Sequence, residues 1–139
     1  MSLEALIQAI VNLAGGPAGK NFALIGTLGA GKTHLVRSLI QALEPELLQD
    51  VASPSFNIFH RYEGKKIEIH HFDLYRLEAV EELEEIEIYE SLDNVKALTL
   101  IEWPDQFDEI VNMCDYKVHV QVNEKGKRDY LVEGFDERV

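Results

Sequence analysis

An eight-residue glycine loop constrains this chain more than any other segment of its sequence. Residues Gly26 to Thr33 read GTLGAGKT and match the pattern G-x-x-x-x-G-K-[ST]. The apolar, strand-like run Asn21 to Ile25 precedes the loop, and helically spaced apolar residues follow it as far as Leu43. An ordinary glycine-rich turn is the alternative, but a strand before the loop and a helix after it favour a phosphate-binding P-loop.

The residue types in this loop suit a nucleotide with magnesium. Backbone amides must wrap around phosphate oxygens, which favours Gly26, Gly29 and Gly31 where the chain bends. Lys32 would place its ammonium between the β- and γ-phosphates, and Thr33 would offer its hydroxyl to Mg²⁺. ATP or ADP with Mg²⁺ are therefore the predicted ligands.

Two carboxylates compete as the acidic partner that a P-loop needs for magnesium. Glu102 follows Ala97 to Ile101, a continuously apolar run that predicts a strand buried on both faces. Asp73 follows a more alternating segment that contains histidines. We favour Glu102 for the metal and Asp73 for orienting the attacking water, with a turn or helix cap as the alternative for Asp73.

The remaining periodicities predict an α/β fold in one domain over residues 1–139, a P-loop NTPase-like three-layer sandwich with a mixed central sheet. We expect helices over Leu3 to Leu13 and Glu78 to Glu90, and hairpins formed by Val51 to Tyr62 with Lys66 to Phe72 and by Tyr116 to Val122 with Arg128 to Glu133. The segment from Glu78 to Glu90 holds seven glutamates, which indicates an acidic outer face.

The composition limits the partners. With a formal net charge of -12, binding to nucleic acid on its own is not expected. No apolar stretch approaches the roughly 20 residues that a bilayer requires, so we expect a cytoplasmic protein without membrane contact. The single cysteine and the adjacent His70 and His71, which alternate across a strand, do not suggest a zinc site.

Four segments taken together are more specific than the loop alone. They are Gly29 to Thr33, the Ser53-Pro54-Ser55-Phe56 sequence, the HFDLYRL sequence from His71 to Leu77, and Glu102-Trp103-Pro104. In this order and spacing they resemble the bacterial TsaE (YjeE) ATPase family. The resemblance covers nearly the whole chain.

The resemblance implies an ATPase that acts with a TsaB-TsaD complex in making threonylcarbamoyladenosine in tRNA, with tRNA reached only through that complex. It implies magnesium ligands at Thr33 and Glu102 and an essential aspartate at Asp73. It also implies that nucleotide is bound by Leu28, Gly29, Ala30, Gly31, Lys32 and Thr33. Ser55 retains the hydroxyl of a switch-like segment and is expected to act in catalysis with Asp73 and Lys32, with a turn at the start of a strand as the alternative. Trp103 either covers the nucleotide or packs beneath the loop.

The sequence departs from the family pattern at particular positions. His34 stands where a second threonine is common, and Glu87 stands where a glycine is usual. Two other functional classes share the loop: a small-molecule kinase, which normally carries an arginine-rich lid, and a module in which bound ATP orders Ser53 to Tyr62 without hydrolysis. Arg37, Arg61 and Arg76 are scattered along the chain, so we expect no such lid.

Overall fold

Six strands form one mixed sheet at the centre of the protein. The structure is a computed structural model that describes residues 1–26, 32–50 and 58–134. The strands are β1 (Asn21–Gly26), β2 (Phe59–Glu63), β3 (Glu68–Asp73), β4 (Ala97–Glu102), β5 (Tyr116–Val122) and β6 (Arg128–Glu133). Their order across the sheet is β2-β3-β4-β1-β5-β6.

The four inner strands run parallel, and the two outer strands are antiparallel to their neighbours. Both predicted hairpins are present in the described residues, as β2 with β3 and β5 with β6. Every residue of β4 is buried, which agrees with its continuous apolar sequence. The sequence predicted a central, buried position for β4 but not for β3. In the structure both strands lie inside the sheet, and four residues of β3 are buried.

Helices cover both faces of the sheet and complete the predicted three layers. They are α1 (Leu3–Val11), α2 (Lys32–Leu43), α3 (Glu81–Glu85), α4 (Ile88–Leu92) and α5 (Asp108–Met113), with 3₁₀ turns at Pro45–Asp50 and Pro104–Gln106. One apolar core joins α1 and α2 to the sheet, and a second joins α3, α4 and α5 to its other face. Among these described segments, no helix has the length and apolarity needed to cross a membrane.

The single acidic helix predicted from Glu78 to Glu90 is wrong, since the segment forms two short helices. Glu87 breaks the helical path with a left-handed backbone, φ 60° and ψ 30°. A residue with a Cβ adopts this conformation at a cost, and glycine adopts it readily. Leu83 and Ile88 are nevertheless buried, so each short helix retains an apolar contact with the second core.

Candidate functional site

The carboxyl ends of three parallel strands bring the candidate site together. Asp73 at the end of β3 and Glu102 at the end of β4 are direct register partners. Leu24 of β1 pairs with Glu102 on the other side, and β1 continues to Gly26. Ligands of α/β sheets commonly lie beyond these strand ends. Two acids that are 29 positions apart in the sequence thus lie side by side.

Lys32 lies at the start of α2, directly above the end of β1. Its Nζ donates a hydrogen bond of 3.0 Å to the carbonyl oxygen of Gly26. The same ammonium lies 3.4 Å from the centroid of the Trp103 ring. Only 4% of Lys32 is exposed, and these two contacts stabilise its buried ammonium at the N-terminus of α2.

Gly26 meets a packing requirement that the motif alone did not reveal. A Cβ added at this position would lie 2.7 Å from the backbone oxygen of Val120, which belongs to the neighbouring strand β5. Such an approach would displace backbone that is paired in the sheet. The first glycine of the loop is therefore needed for strand packing, whatever it contributes to phosphate binding.

Asp73 combines a turn contact with an unusual electrostatic setting. One carboxylate oxygen accepts a hydrogen bond of 3.1 Å from the backbone N–H of Tyr75, so the turn interaction considered from the sequence is present. Burial raises the pKa of Asp73; the Tyr75 N–H opposes that rise, and the charge of Glu102 adds to it. A carboxyl group that holds its proton more strongly than usual, next to a second acid, is typical of functional sites.

Glu102 is almost enclosed, with 3% of its surface exposed. Its Oε2 lies 2.5 Å from Nε2 of His71, two residues before Asp73 on β3. His71 is also buried, and its ring stacks on His60 across the β2–β3 hairpin at 6.2 Å between centroids. The sequence reasoning assigned His71 no role, although the period of two along a strand already places it on the same face as Asp73.

Trp103 has a left-handed backbone, φ 58° and ψ 44°, immediately after Glu102. This conformation is costly for a residue with a Cβ and often marks functional sites. The indole is half-buried, carries the Lys32 ammonium on its ring, and lies 5.0 Å from the Tyr75 ring between centroids. Trp103 thus packs beside the start of the loop helix.

Gln106 ties the two acidic strand ends to each other, and nothing in the sequence indicated this role. Its side-chain N–H groups donate to the carbonyl oxygens of Leu74 at 2.7 Å and Leu77 at 2.9 Å. The N–H of Leu74 in turn donates to the carbonyl oxygen of Glu102 at 3.0 Å. These bonds hold the segments after β3 and β4 against each other and so fix the spacing of the two carboxylates.

Several predicted site residues lie outside the described part of the chain. These are Leu28, Gly29, Ala30 and Gly31 of the loop, Ser55, and the side chain of Thr33. Their assigned roles stay predictions from the sequence. Of the others, Lys32, Asp73, Glu102 and Trp103 come together at one edge of the sheet.

A cavity of about 590 Å³ lies next to the first turn of α2, where it contacts His34. Its lining includes His34, Lys127 in the β5–β6 turn, Tyr130 of β6 and the start of α1. The Tyr130 hydroxyl is buried and has no hydrogen-bond partner among the described residues. A buried hydroxyl without a partner is costly.

Known proteins of one family match this chain. A family model described as threonylcarbamoyl adenosine biosynthesis protein TsaE matches residues 1–130. The tRNA threonylcarbamoyladenosine biosynthesis protein TsaE of Rickettsia felis is 35% identical over 105 residues, which cover 76% of this chain and 60% of that protein. The protein of the same name from a Nostoc species is 38% identical over 91 residues, covering 64% of this chain and 55% of the relative.

The fold also has a solved counterpart. The crystal structure of Bacillus subtilis YdiB matches with a TM-score of 0.62 and 20% sequence identity, covering 94% of this chain and 76% of that one. The matched part of the chain spans less than two thirds of the Rickettsia and Nostoc relatives. Because the family model covers nearly the whole chain, the protein belongs to the TsaE family.

Proposed function

We propose that this protein binds ATP with Mg²⁺, hydrolyses it, and thereby drives a TsaB-TsaD complex through rounds of threonylcarbamoyladenosine formation in tRNA. One observation carries the hydrolytic part of this proposal. Lys32, Asp73 and Glu102 meet at the carboxyl edge of the parallel strands, although 70 positions separate the first from the last. A cation for phosphate beside two acids is the arrangement that P-loop hydrolysis requires.

The oxygen ligands at this edge fit magnesium. The Asp73 and Glu102 carboxylates are adjacent, and the raised pKa of Asp73, with burial as its first cause, reflects in part the second negative charge. Magnesium at nucleotides keeps several waters and takes one or two carboxylates besides phosphate oxygens.

Each side chain then has a separate task. Lys32 neutralises phosphate charge, moving from the indole face of Trp103 toward the phosphate oxygens. Glu102 holds the magnesium position with Thr33, and Asp73 orients the attacking water by accepting its hydrogen bond. Bound magnesium would neutralise charge that develops on the phosphate oxygens. Before nucleotide binds, the Trp103 ring covers one side of the lysine ammonium.

The cavity beside α2 suits the nucleotide base. It lies on the β5–β6 side of the loop helix, and its lining includes Tyr130 and a cationic side chain, Lys127. A planar polar ring would supply the partner that the Tyr130 hydroxyl lacks among the described residues. We therefore place adenine in this cavity and the phosphates toward Lys32.

The acidic surface favours a protein partner over tRNA itself. Glu84, Glu85, Glu87 and Glu90 are exposed on α3, α4 and the turn between them, in a chain with a net charge of -12. Such a surface repels phosphates and complements a basic protein face. The partner named in this proposal, a TsaB-TsaD complex, would thus meet the protein while tRNA is held elsewhere.

Phosphate release from ATP, with and without TsaB and TsaD, tests the function. We expect slow release by the protein alone and faster release in the complex, with inorganic phosphate and ADP as the products. A phosphorylated small molecule would favour the kinase alternative. Absence of ATP binding, or no effect of either partner on turnover, would overturn the proposal.

A further inference from the structure

The proposed mechanism uses Glu102 but gives no role to His71, the buried side chain that contacts it. His71 Nε2 and Glu102 Oε2 are 2.5 Å apart, and 4% and 3% of the two residues are exposed. An enclosed carboxylate this close to an imidazole is fixed in rotation. We propose that His71 is a positioning residue that donates its Nε2–H to Oε2 of Glu102 and so holds this carboxylate in the orientation that would bind a magnesium ion.

This inference rests on the proposed function, because it assigns the metal to Glu102. Carboxylates that bind metals are commonly held by a second hydrogen bond, and loss of that outer partner typically lowers metal affinity by about 10- to 100-fold. Here the partner comes from the adjacent strand. Asp73 and His71 lie two residues apart on β3, so one strand supplies both the neighbouring acid and the residue that orients Glu102.

The surroundings of His71 hold its ring in place. His60 stacks on it across the hairpin, with an angle of 27° between the ring planes. The β2–β3 pairing sets these two histidines directly opposite each other. His71 therefore lies between His60 on one neighbouring strand and Glu102 on the other, with its Nε2 toward Glu102.

The adjacent histidine provides a matched control. His70 lies on the opposite face of β3 and is also buried, with its Nδ1 2.7 Å from the Ser91 hydroxyl of α4. His70 lies on the same strand as His71 and is equally buried, but its hydrogen bond goes to helix α4 and not to Glu102. A variant of His70 therefore perturbs stability in the same strand without touching Glu102.

Manganese bound to the protein–ADP complex, measured by electron paramagnetic resonance, tests the proposal. We expect His71→Leu and His71→Asn to weaken Mn²⁺ binding by about 10- to 100-fold, because neither side chain brings a donor to Oε2. His71→Gln extends its amide to the place of Nε2 and should stay close to wild type. ADP affinity measured in EDTA should be the same in all variants, and His70→Leu should retain Mn²⁺ affinity.

The outcomes separate the two proposals. If the wild-type protein binds neither ADP nor Mn²⁺, the proposed function fails, and this inference fails with it. If wild type binds both but His71→Asn and His71→Leu keep full Mn²⁺ affinity, only the positioning role is overturned. Nitrogen-15 spectra give a second readout that does not depend on variant folding: a His71 tautomer protonated at Nδ1 rather than Nε2 would also overturn it.

Discussion

The ammonium of Lys32 lies on the face of the Trp103 indole, 3.4 Å from the ring centroid. Trp103 is the only tryptophan in the chain, so the tryptophan fluorescence reports on the surroundings of this one indole. If phosphate oxygens draw the ammonium away from the ring, MgADP should change the emission intensity or wavelength. Lys32→Met should change the emission of the free protein and abolish the response to MgADP.

A control separates this contact from general binding effects. Tyr75 lies against the same indole at 5.0 Å between centroids and carries no charge at neutral pH. Tyr75→Phe keeps an aromatic ring there and should leave the MgADP response intact. A response that persists in Lys32→Met would mean that the emission change does not come from movement of the lysine.

A second prediction concerns Asp73. Burial is the first cause of its raised pKa, and the Tyr75 N–H can also donate to an asparagine oxygen. Asp73→Asn should therefore lower the ATP hydrolysis rate by about 100-fold or more while ADP affinity changes little. Its free energy of unfolding at neutral pH should rise, because a partly buried charge beside Glu102 is removed.

Phosphate release, calorimetry with ADP and urea unfolding measure these three effects. The exposed Asp108 at the start of α5 offers a matched control, and Asp108→Asn should preserve hydrolysis. Unchanged turnover in Asp73→Asn would contradict a role in hydrolysis, and the hydrogen bond from the Tyr75 N–H would then be the function of Asp73.

The sequence predicted the strand before the glycine loop, the helix after it and the two hairpins, because these follow from local periodicity and turn residues. It also identified Asp73 and Glu102 as candidate site residues, since acids that follow apolar parallel strands lie together at the carboxyl ends of those strands. It did not predict the His71–Glu102 pair or the Gln106 bonds, which depend on register between strands far apart in sequence. The single helix from Glu78 to Glu90 was wrong because helical spacing gives no sign of one left-handed residue.

That left-handed residue, Glu87, gives a third prediction. Its φ of 60° is one that glycine adopts without the clash of a Cβ, and its side chain is exposed. Glu87→Gly should raise the free energy of unfolding by about 0.5–1 kcal/mol. Urea unfolding measures the change.

Two further variants show whether the backbone is the cause. Glu87→Gln removes the charge and keeps the Cβ, so its stability should stay near wild type. Glu90→Gly places glycine inside α4 and should lower stability by about 1 kcal/mol. A Glu87→Gly protein that is less stable than wild type would contradict the inference that the left-handed backbone of Glu87 is strained.

A fourth prediction concerns the pH dependence of stability through Glu44. This buried carboxylate accepts hydrogen bonds from the backbone N–H of Lys66 at 2.6 Å and of Ile67 at 3.3 Å. The Lys66 bond is the main reason that the pKa of Glu44 lies below its ordinary value of 4.5. The stabilisation is then fully present above pH 4.5 and is lost as the pH falls through the lower pKa of the folded protein.

The test compares unfolding of wild type and Glu44→Gln across this range. At neutral pH the variant should be about 1–2 kcal/mol less stable, because hydrogen bonds to a charged acceptor are replaced by neutral ones. The difference should shrink as the pH falls below 4.5. The exposed Glu124, in the β5–β6 turn, supplies the control, and Glu124→Gln should show no such dependence. A difference that stays constant with pH would contradict the lowered pKa.

The last prediction tests the base cavity through Tyr130, which is 1% exposed and whose hydroxyl lacks a partner in the described residues. Tyr130→Phe should leave the free energy of unfolding unchanged or raise it, because an unsatisfied hydroxyl is removed. If that hydroxyl binds adenine, the variant should lose about 1 kcal/mol of ADP binding, roughly fivefold in affinity. Pyrophosphate affinity should not change, since Lys32 and the loop remain. Tyr89 supplies the control, because its hydroxyl donates to Glu109 of α5 at 3.0 Å, away from the cavity. Tyr89→Phe should alter neither affinity. Unchanged ADP affinity in a more stable Tyr130→Phe protein would place the base outside this cavity.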